Sequence, residues 1–198
     1  MGLEFGTEPG QTLLDDDEKE GLLIPTIATR AELDEFEQQN IEQAIQWSLT
    51  RRLKQQDIFA EAFVKELHKR MYKEVWAWAG QYRHTNKNIG VDKWQIPTEL
   101  KMLLDDTTYW AANKVYEPDE LAIRFKHRIV SIHCFPNGNG RHSRLAADII
   151  IDKIYKQPVF TWGANNLSHT SDIRTTYLKA LRAADAGNYA PLLSFARS

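Results

Sequence analysis

The stretch HCFPNGNGRHSR, residues 133–144, decides the fold because it joins two apolar helical patterns through a very short loop. The first pattern begins after Pro118, which suits the first turn of a helix, and ends at His133. The second begins after Gly140 and has a very apolar face. The stretch therefore predicts a helix, a tight loop and a second helix in the centre of the core. The two buried faces are Leu121, Phe125, Ile129 and Ile132, and then Leu145, Ala146, Ile149, Ile150 and Ile154.

The remaining chain also has mostly helical patterns. Thr29 and Glu32 have the spacing of a capping box, which predicts a helix over residues 30–49. Apolar residues at every fourth position, starting at Phe59, predict a second helix over 57–75. Further helices are expected over 98–113, 170–184 and 189–196. The predicted fold class is all-α, a helical bundle.

Two segments differ from this helical background. Residues 76–97 contain two glycines and two asparagines without a helical period and end at Pro97, so we expect a loop and a short β-hairpin that turns near Gly90 to Asp92. Residues 1–28, with an acidic run from Asp15 to Glu20, are predicted to be an extended lead-in. Residues 29–198 are then predicted to form a single domain.

Composition and charge exclude several classes of function. The formal net charge is −2 and the pI is about 6.3, so no global charge favours nucleic acid or an anionic membrane, and we expect neither as a partner. The chain has no apolar run of membrane-spanning length and no basic-then-apolar leader, which predicts a cytoplasmic protein. The one cysteine, Cys134, fits a reducing compartment. A Walker-type loop, a zinc-finger spacing and a Gly-x-Ser-x-Gly elbow are all absent from the sequence.

The short loop has the features of an anion site. Gly138 and Gly140 allow a ligand to approach the backbone N–H groups, which lie at the positive end of the second helix. Arg141 and Arg144 share a face of its first turn. Cations there oppose the helix dipole by about 0.3–1 kcal/mol each, which makes sense if a di- or triphosphate binds.

Two further residues add chemistry to this anion site. His133 ends the preceding helix within reach of the loop, and histidine is well suited to remove a proton near neutral pH. Asn137 offers an oxygen to a metal ion that bridges the phosphates. Each feature alone is common, but their joint spacing favours transfer of a phosphate-containing group to a hydroxyl.

At these residues the sequence resembles the Fic family, whose signature is His-x-Phe-x-(Asp/Glu)-Gly-Asn-Gly-Arg-x-x-Arg. The segments "WAWAGQYR" and "NIG" resemble the approach to the family's flap hairpin, so the resemblance covers most of the chain. The whole length, with the "EGLLIP" lead-in, resembles the bacterial subgroup called mobile mystery protein B. The resemblance implies a mainly helical, toxin-like protein that transfers AMP from Mg²⁺-bound ATP to a Ser, Thr or Tyr hydroxyl of a target protein.

The resemblance also implies a role for each residue of the motif. His133 would deprotonate the target hydroxyl. Gly138, Asn139 and Gly140 would hold the α- and β-phosphates, Arg141 the β/γ region, and Arg144 the γ-phosphate that orients the nucleotide. Because GNGR is kept, the sequence is unlike the related Doc branch, whose members replace this segment and act as protein kinases.

Asn137 departs from the family's pattern, because an acidic Mg²⁺ ligand usually stands at this position. An amide is a poorer ligand than a carboxylate for a hard dication. The alternative function is therefore a nucleotide-dependent binding module, or a weakly active member of the family.

Further expectations concern regulation and docking. Many Fic proteins are inhibited by the glutamate of a Ser/Thr-x-x-x-Glu motif, which pairs with the second arginine of the signature. The resemblance therefore implies that Glu20 reaches Arg144, although Asp16 stands where Ser or Thr is expected. The alternative is inhibition by a separate antitoxin or regulatory protein. By the same resemblance, the flap would bind a target segment as an added strand. The alternative is that its side chains have no docking role and are solvent-exposed or packed in the core. The predicted docking residues are Ile89, Gly90, Lys93 and Trp94.

A different enzyme class would use the same stretch as a metal nuclease site. His133, Asn139 and His142 would then form an HNH-like cluster, with Cys134 as a further ligand. The strand-rich context of such a site is missing from the sequence, and the chain is not basic.

Overall fold

The computed structural model describes residues 15–164 and 170–198, which are mostly helical. The bundle is built around α6 and α7, because α6 packs against α5, α7 and α9 while α7 also packs against α4. A 3₁₀ turn, Lys93–Gln95, precedes α5, and a π turn, Ile151–Tyr155, continues α7. The helices are α1 Asp16–Lys19, α2 Arg30–Thr50, α3 Gln55–Ile58, α4 Glu61–Tyr72, α5 Ile96–Asn113, α6 Pro118–Ile132, α7 Asn139–Ile150, α8 Thr170–Asp185 and α9 Ala190–Arg197.

The two apolar stripes that flank the central loop form the middle of the core. The α6 stripe, from Leu121 to Ile132, is buried at every predicted position. Of the α7 stripe, Leu145 to Ile150 are buried and Ile154 is partly buried. The all-α fold class and the helix–loop–helix at its centre are therefore confirmed.

The N-terminus of α2 forms the predicted capping box. Thr29 Oγ1 accepts from the N–H of Glu32 at 3.2 Å, and Glu32 Oε2 accepts from the N–H of Thr29 at 2.9 Å. The boundaries of α2, α5, α8 and α9 lie within two residues of the sequence predictions. No helix in residues 15–164 or 170–198 is both long and apolar enough to cross a membrane.

The single helix predicted over residues 57–75 is wrong. The helix is interrupted at Phe59, where ψ is 38°, and at Ala60, whose backbone is extended, so α3 and α4 are separate helices. The Phe59 ring packs near Phe125 of α6, whereas the Phe63 ring stacks with Trp47 of α2. The interruption allows Phe59 and Phe63, four residues apart, to pack against different helices. The four-residue apolar period cannot predict this, because it depends on the tertiary packing.

The β-hairpin predicted near Gly90 is not confirmed. Residues 80–92 form turns and bends, and the only β-bridge in the described residues pairs Leu22 with Trp76. The carbonyls of Thr85 and Val91 accept hydrogen bonds from the buried guanidinium of Arg83. A side chain, rather than a strand ladder, therefore satisfies this part of the loop backbone.

The predicted extended lead-in lies partly outside the described residues, since residues 1–14 are not described. Residues 15–28 contain the helical turn α1 and are tied to the following loop by Leu23 N–H to Val75 O at 2.9 Å and Ala77 N–H to Gly21 O at 2.8 Å. Ile27 is buried in the main core. The division of the chain at residue 28 remains a prediction.

Candidate nucleotide-binding and transfer site

The central loop begins and ends with left-handed backbone. His133 has φ 58° at the end of α6, and Gly138 has φ 75° as the N-cap of α7. Asn139, the first residue of α7, reaches back into this loop: its side chain accepts from the N–H of Phe135 at 3.0 Å and donates to the Phe135 carbonyl at 2.8 Å. The Asn139 side chain therefore closes the loop and only its backbone N–H remains for a ligand, which refines the sequence interpretation of this residue as a phosphate contact.

The two glycines of the loop differ in how much space surrounds them. A Cβ on Gly138 would stand 2.5 Å from the ring of Tyr72, whereas a Cβ on Gly140 would meet no atom within 4 Å. The fold therefore requires the first glycine. The second lies beside open space in the first turn of α7, where backbone N–H groups have no intrahelical acceptors.

A buried histidine supports the loop from below. Gly80 N–H donates to His68 Nδ1 at 3.0 Å, so the proton lies on Nε2, which donates to the carbonyl of Asn137 at 3.0 Å. Its ring stacks on Phe135 with the centroids 3.8 Å apart. Burial, followed by the charge of the neighbouring His142, lowers the pKa of His68 well below its usual value. A neutral imidazole therefore fixes the loop.

Arg141 is held by a carboxylate that the sequence did not point to. Its guanidinium donates to Oε2 of Glu37 at 2.6 Å, and Glu37 Oε1 accepts from the indole N–H of Trp76 at 2.7 Å. The guanidinium also lies 5.3 Å from the ring centroid of Tyr72. Burial alone would lower the pKa of Arg141, but Tyr72 and Glu37 reverse this and raise it. Arg141 is permanently charged and fixed in position.

Arg144 has different surroundings. Its guanidinium lies 5.0 Å from the ring centroid of Tyr177 on α8, and the Tyr177 hydroxyl accepts from Nζ of the buried Lys126 at 2.5 Å. Burial, with the charge of Arg144, lowers the pKa of Lys126 well below its usual value. The Nε of Arg144 is buried and has no hydrogen-bond partner among the described residues. Such an orphaned donor favours an anionic ligand at this position.

His133 is almost completely buried beneath residues 83–90. Burial, followed by the charges of Arg83 and Lys87, lowers the pKa of His133 to about 4, and a backbone hydrogen bond to Val130 offsets part of this. Arg83 Nε donates to the His133 carbonyl at 2.6 Å. The imidazole is therefore neutral at pH 7 and can accept a proton.

One cavity of about 640 Å³ contains most of the predicted site. This volume falls in the usual range for small-molecule sites, roughly 300–1,000 Å³. From the flap segment it includes Ile89 and Gly90, and from α8 it adds Arg174 and Arg182, which the sequence interpretation did not include. The residues of the central motif that line it are His133, Asn137, Gly138, Asn139, Gly140, Arg141 and Arg144.

Three predicted residues do not line this cavity. Glu20 is exposed at the end of α1, and no ion pair joins it to Arg144 within the described chain. Lys93 donates to the carbonyl of His84 at 2.7 Å, and its ammonium group lies 5.0 Å from the ring centroid of Trp94, which is 80% exposed. The structure therefore brings together in one cavity the residues predicted to bind phosphate and the predicted base, but not the predicted inhibitory glutamate.

The N-terminal carboxylates that contact the loop are those of Glu18 and Asp15, rather than that of Glu20. Lys87 donates to Glu18 at 2.5 Å and to Asp15 at 2.8 Å. Thr85 donates to the other oxygen of Glu18 at 3.3 Å. These contacts attach α1 to the loop above His133.

The donor set does not fit a resident Mg²⁺ ion. Asn137 Oδ1 turns back to accept from the N–H of Gly138 at 2.6 Å. Mg²⁺ sites in proteins usually use one or two carboxylates together with substrate phosphates. Among the described residues, no group of three or more His, Cys, Asp or Glu side chains is arranged to hold a metal. The prediction that Asn137 ligates the metal gains no support from this geometry.

The residues that sequence reasoning missed support the site from other helices. No spacing in the sequence links Glu37, His68, Lys126 or Tyr177 to the motif. Arg83 did carry a signal, since it lies in the quoted segment WAWAGQYR. A charged residue that is buried in such an aromatic-rich segment must be paired or hydrogen-bonded.

Comparison with known proteins agrees with this architecture. The family model described as Fic/DOC matches residues 58–151, from the end of α3 to the end of α7. A "Protein adenylyltransferase Fic" of Aedes aegypti is 25% identical over 136 residues, covering 67% of this chain and 26% of that protein. The chain thus spans about a quarter of that relative's length.

Solved structures share the fold at low sequence identity. Fic-1 of C. elegans has a TM-score of 0.67 at 20% identity, covering 90% of this chain and 51% of that one. BepC of Bartonella tribocorum with bound AMPPNP has a TM-score of 0.66 at 17% identity, covering 92% and 97%. The N-terminal Fic domain of a Bartonella quintana effector with bound ADP has a TM-score of 0.63 at 17% identity, covering 87% and 86%. The family model thus matches the central part of the chain, residues 58–151, and the chain shares its fold with these solved structures.

Proposed function

We propose that this protein binds ATP in the central cavity and transfers AMP to a Ser, Thr or Tyr hydroxyl of a target protein. Fic relatives that carry the name adenylyltransferase or bind AMPPNP and ADP support this choice. The observation that carries the proposal is the convergence, in one cavity, of the α7 N-terminus, two arginines and a neutral buried histidine.

The anion site accounts for binding of the phosphates. The first-turn N–H groups of α7 present partial positive charge, and Gly140 leaves space for a close approach. Arg141 is fixed by Glu37, and Arg144 presents a buried Nε without a partner. Positioning and charge stabilisation are the main contributions that a protein makes to this class of reaction.

The transfer step requires a base and an in-line geometry. The target hydroxyl oxygen bonds to the α-phosphorus as the bond from that phosphorus to the β-bridging oxygen breaks, and pyrophosphate leaves. The hydroxyl proton passes to His133, which is uncharged near pH 7 because its pKa is lowered to about 4. Arg141 and Arg144 stabilise the negative charge that develops on the leaving pyrophosphate.

Charge stabilisation is assigned to the chain's own cations. Because Asn137 uses its oxygen on Gly138, we assign no step to a metal held by the protein. Mg²⁺ dependence, predicted from the family resemblance, remains part of the proposal only as a property of the ATP substrate.

Target docking is proposed for the segment above the cavity. Ile89, which is 44% exposed, lies at the cavity rim, and Trp94 presents an exposed ring close by in sequence. We propose that they receive an extended segment of the target. An antitoxin or regulatory partner, a cytoplasmic location and membership of the mobile mystery protein B subgroup likewise remain predictions from the sequence.

A second candidate function is a nucleotide-dependent binding module without transfer. The observation in its favour is again Asn137, because a missing carboxylate and an occupied amide oxygen both reduce assistance by a metal. Such a protein would bind ATP and change its affinity for a partner while leaving the nucleotide intact.

The deciding experiment follows label from α-³²P-ATP to the protein itself and to a cell lysate. Wild type is compared with His133→Ala and with Glu20→Gly, and ATP binding is measured in parallel. Label that disappears in His133→Ala establishes transfer by this site. ATP binding without label in any variant establishes the binding module, and unchanged labelling in Glu20→Gly rules out inhibition through Glu20.

A further inference from the structure

Glu37 places a carboxylate in the interior, directly behind the anion site. It lies on α2, and its side chain is 2% exposed. A buried charge is costly unless it is paired and hydrogen-bonded, so a residue of this kind needs a specific function in the fold.

Both oxygens of Glu37 are engaged. One accepts from the Trp76 indole at 2.7 Å, and the other accepts from one terminal nitrogen of Arg141 at 2.6 Å. The guanidinium has five N–H donors in a rigid plane, so this contact consumes one side and leaves donors for the cavity that Arg141 lines. The carboxylate fixes Arg141 without replacing a ligand.

The location of Arg141 makes such support necessary. It stands in the first turn of α7, where a cation opposes the helix dipole. Glu37 compensates this charge before any nucleotide arrives. Arg144, in contrast, rests on the Tyr177 ring and has a buried Nε without a partner in the described chain. The two arginines of the motif are therefore supported in different ways.

We propose that Glu37 is a positioning residue that orients Arg141 toward the terminal phosphates of the nucleotide. This inference rests on the proposed function, because it takes ATP as the ligand and the β/γ region as the contact of Arg141. Glu37 acts through Arg141 and does not itself touch the nucleotide.

The test compares Glu37→Gln with Glu35→Gln, a matched change at an exposed position of the same helix. Glutamine keeps an oxygen for Trp76 but removes the charge that holds Arg141. We expect Glu37→Gln to weaken ATP binding about tenfold and to leave AMP binding within about twofold, because AMP lacks the terminal phosphates. Glu35→Gln should bind both nucleotides like wild type. Equal losses for ATP and AMP, or none for ATP, would overturn the proposal.

A double-variant cycle separates positioning from general damage. If Glu37 works through Arg141, Glu37→Gln should have no further effect on ATP affinity in an Arg141→Ala background. A second full tenfold loss in that background would show that Glu37 acts independently. Wild-type protein that binds no ATP would refute the proposed function, whereas normal ATP binding unaffected by Glu37→Gln would refute only this inference.

A measurement on wild-type protein covers the case in which Glu37→Gln fails to fold. Nitrogen-15 NMR of the Arg141 guanidinium should show restricted rotation of the terminal nitrogens in nucleotide-free protein. Freely rotating nitrogens that become ordered only with ATP would contradict positioning by Glu37.

Discussion

Gly90 lies directly on His133, so closely that a Cβ at Gly90 would stand 2.6 Å from the Cβ of the histidine. Its φ is 98°, and the same Cβ would also meet Arg83 at 2.9 Å. The loop above the site and His133, the proposed base, are thus packed as one unit, and a side chain at Gly90 must displace one of them.

Gly90→Ala is therefore predicted to reduce the rate of AMP transfer at least tenfold. It should also destabilise the protein by about 1–3 kcal/mol, because it adds both backbone strain and a steric clash. Gly187→Ala is the control, since Gly187 also has positive φ, 85°, but has open space around its Cβ. Urea unfolding and label transfer measure the two effects. Equal behaviour of the two variants would mean that packing on His133 is unimportant.

Gly140→Ala is predicted to leave the fold intact and to weaken ATP binding more than tenfold. The added methyl group would enter open space, with no other protein group within 4 Å, and this space is where the proposed phosphate would approach. Gly138→Ala should instead lower the melting temperature, because its Cβ would stand 2.5 Å from Tyr72. Calorimetry and thermal unfolding check both variants. Wild-type ATP affinity in Gly140→Ala would place the phosphates elsewhere.

The pH dependence of transfer should reflect a weakly basic His133. Since its pKa is about 4, the neutral base persists above that value, and transfer should fall only as the pH drops through about 4. Lys87→Gln removes one of the charges that lower this pKa and should move the acidic limb upward by up to about one pH unit. Lys101→Gln, on an exposed surface, should leave the limb unchanged. A wild-type limb near pH 6.5 would be inconsistent with the buried base.

Asn137→Asp should increase transfer and make it more responsive to Mg²⁺. A carboxylate can accept from Gly138 N–H with one oxygen and retain another for the cation, whereas the amide offers one oxygen, already engaged. Initial rates over a Mg²⁺ titration test this, and we expect a gain of about tenfold at low Mg²⁺. Unchanged rates would show that metal assistance does not limit transfer.

Acid should destabilise the fold through its buried histidines. Burial lowers the pKa of His142 to about 4 in the folded protein, whereas the unfolded value is about 6.5, so the unfolded chain binds more protons between these values. Stability is complete above pH 6.5 and falls as the pH decreases toward 4, by about 2 kcal/mol at pH 5 for this group. His142→Gln should reduce the difference in urea-unfolding free energy between pH 7 and pH 5. His84→Gln, at an exposed position, should keep it.

The sequence by itself determined the helical class and the central helix–loop–helix. Local physics suffices for these features, because apolar periodicity, the Thr29 capping box and the glycines of the loop act between residues close in sequence. The same closeness allowed His133, Arg141 and Arg144 to be grouped as one site, since the short loop leaves them few ways to separate.

Only the tertiary structure decided what supports this site. Glu37 lies 104 residues from Arg141 in sequence, and Arg83 organises the segment where a hairpin was predicted. The break between α3 and α4 and the engagement of Glu18 instead of Glu20 have the same origin. All of these features depend on which residues, distant in sequence, come together in the interior. A buried charge or hydrogen-bond donor must find a partner there, and the spacing of residues in the sequence does not indicate which partner it finds.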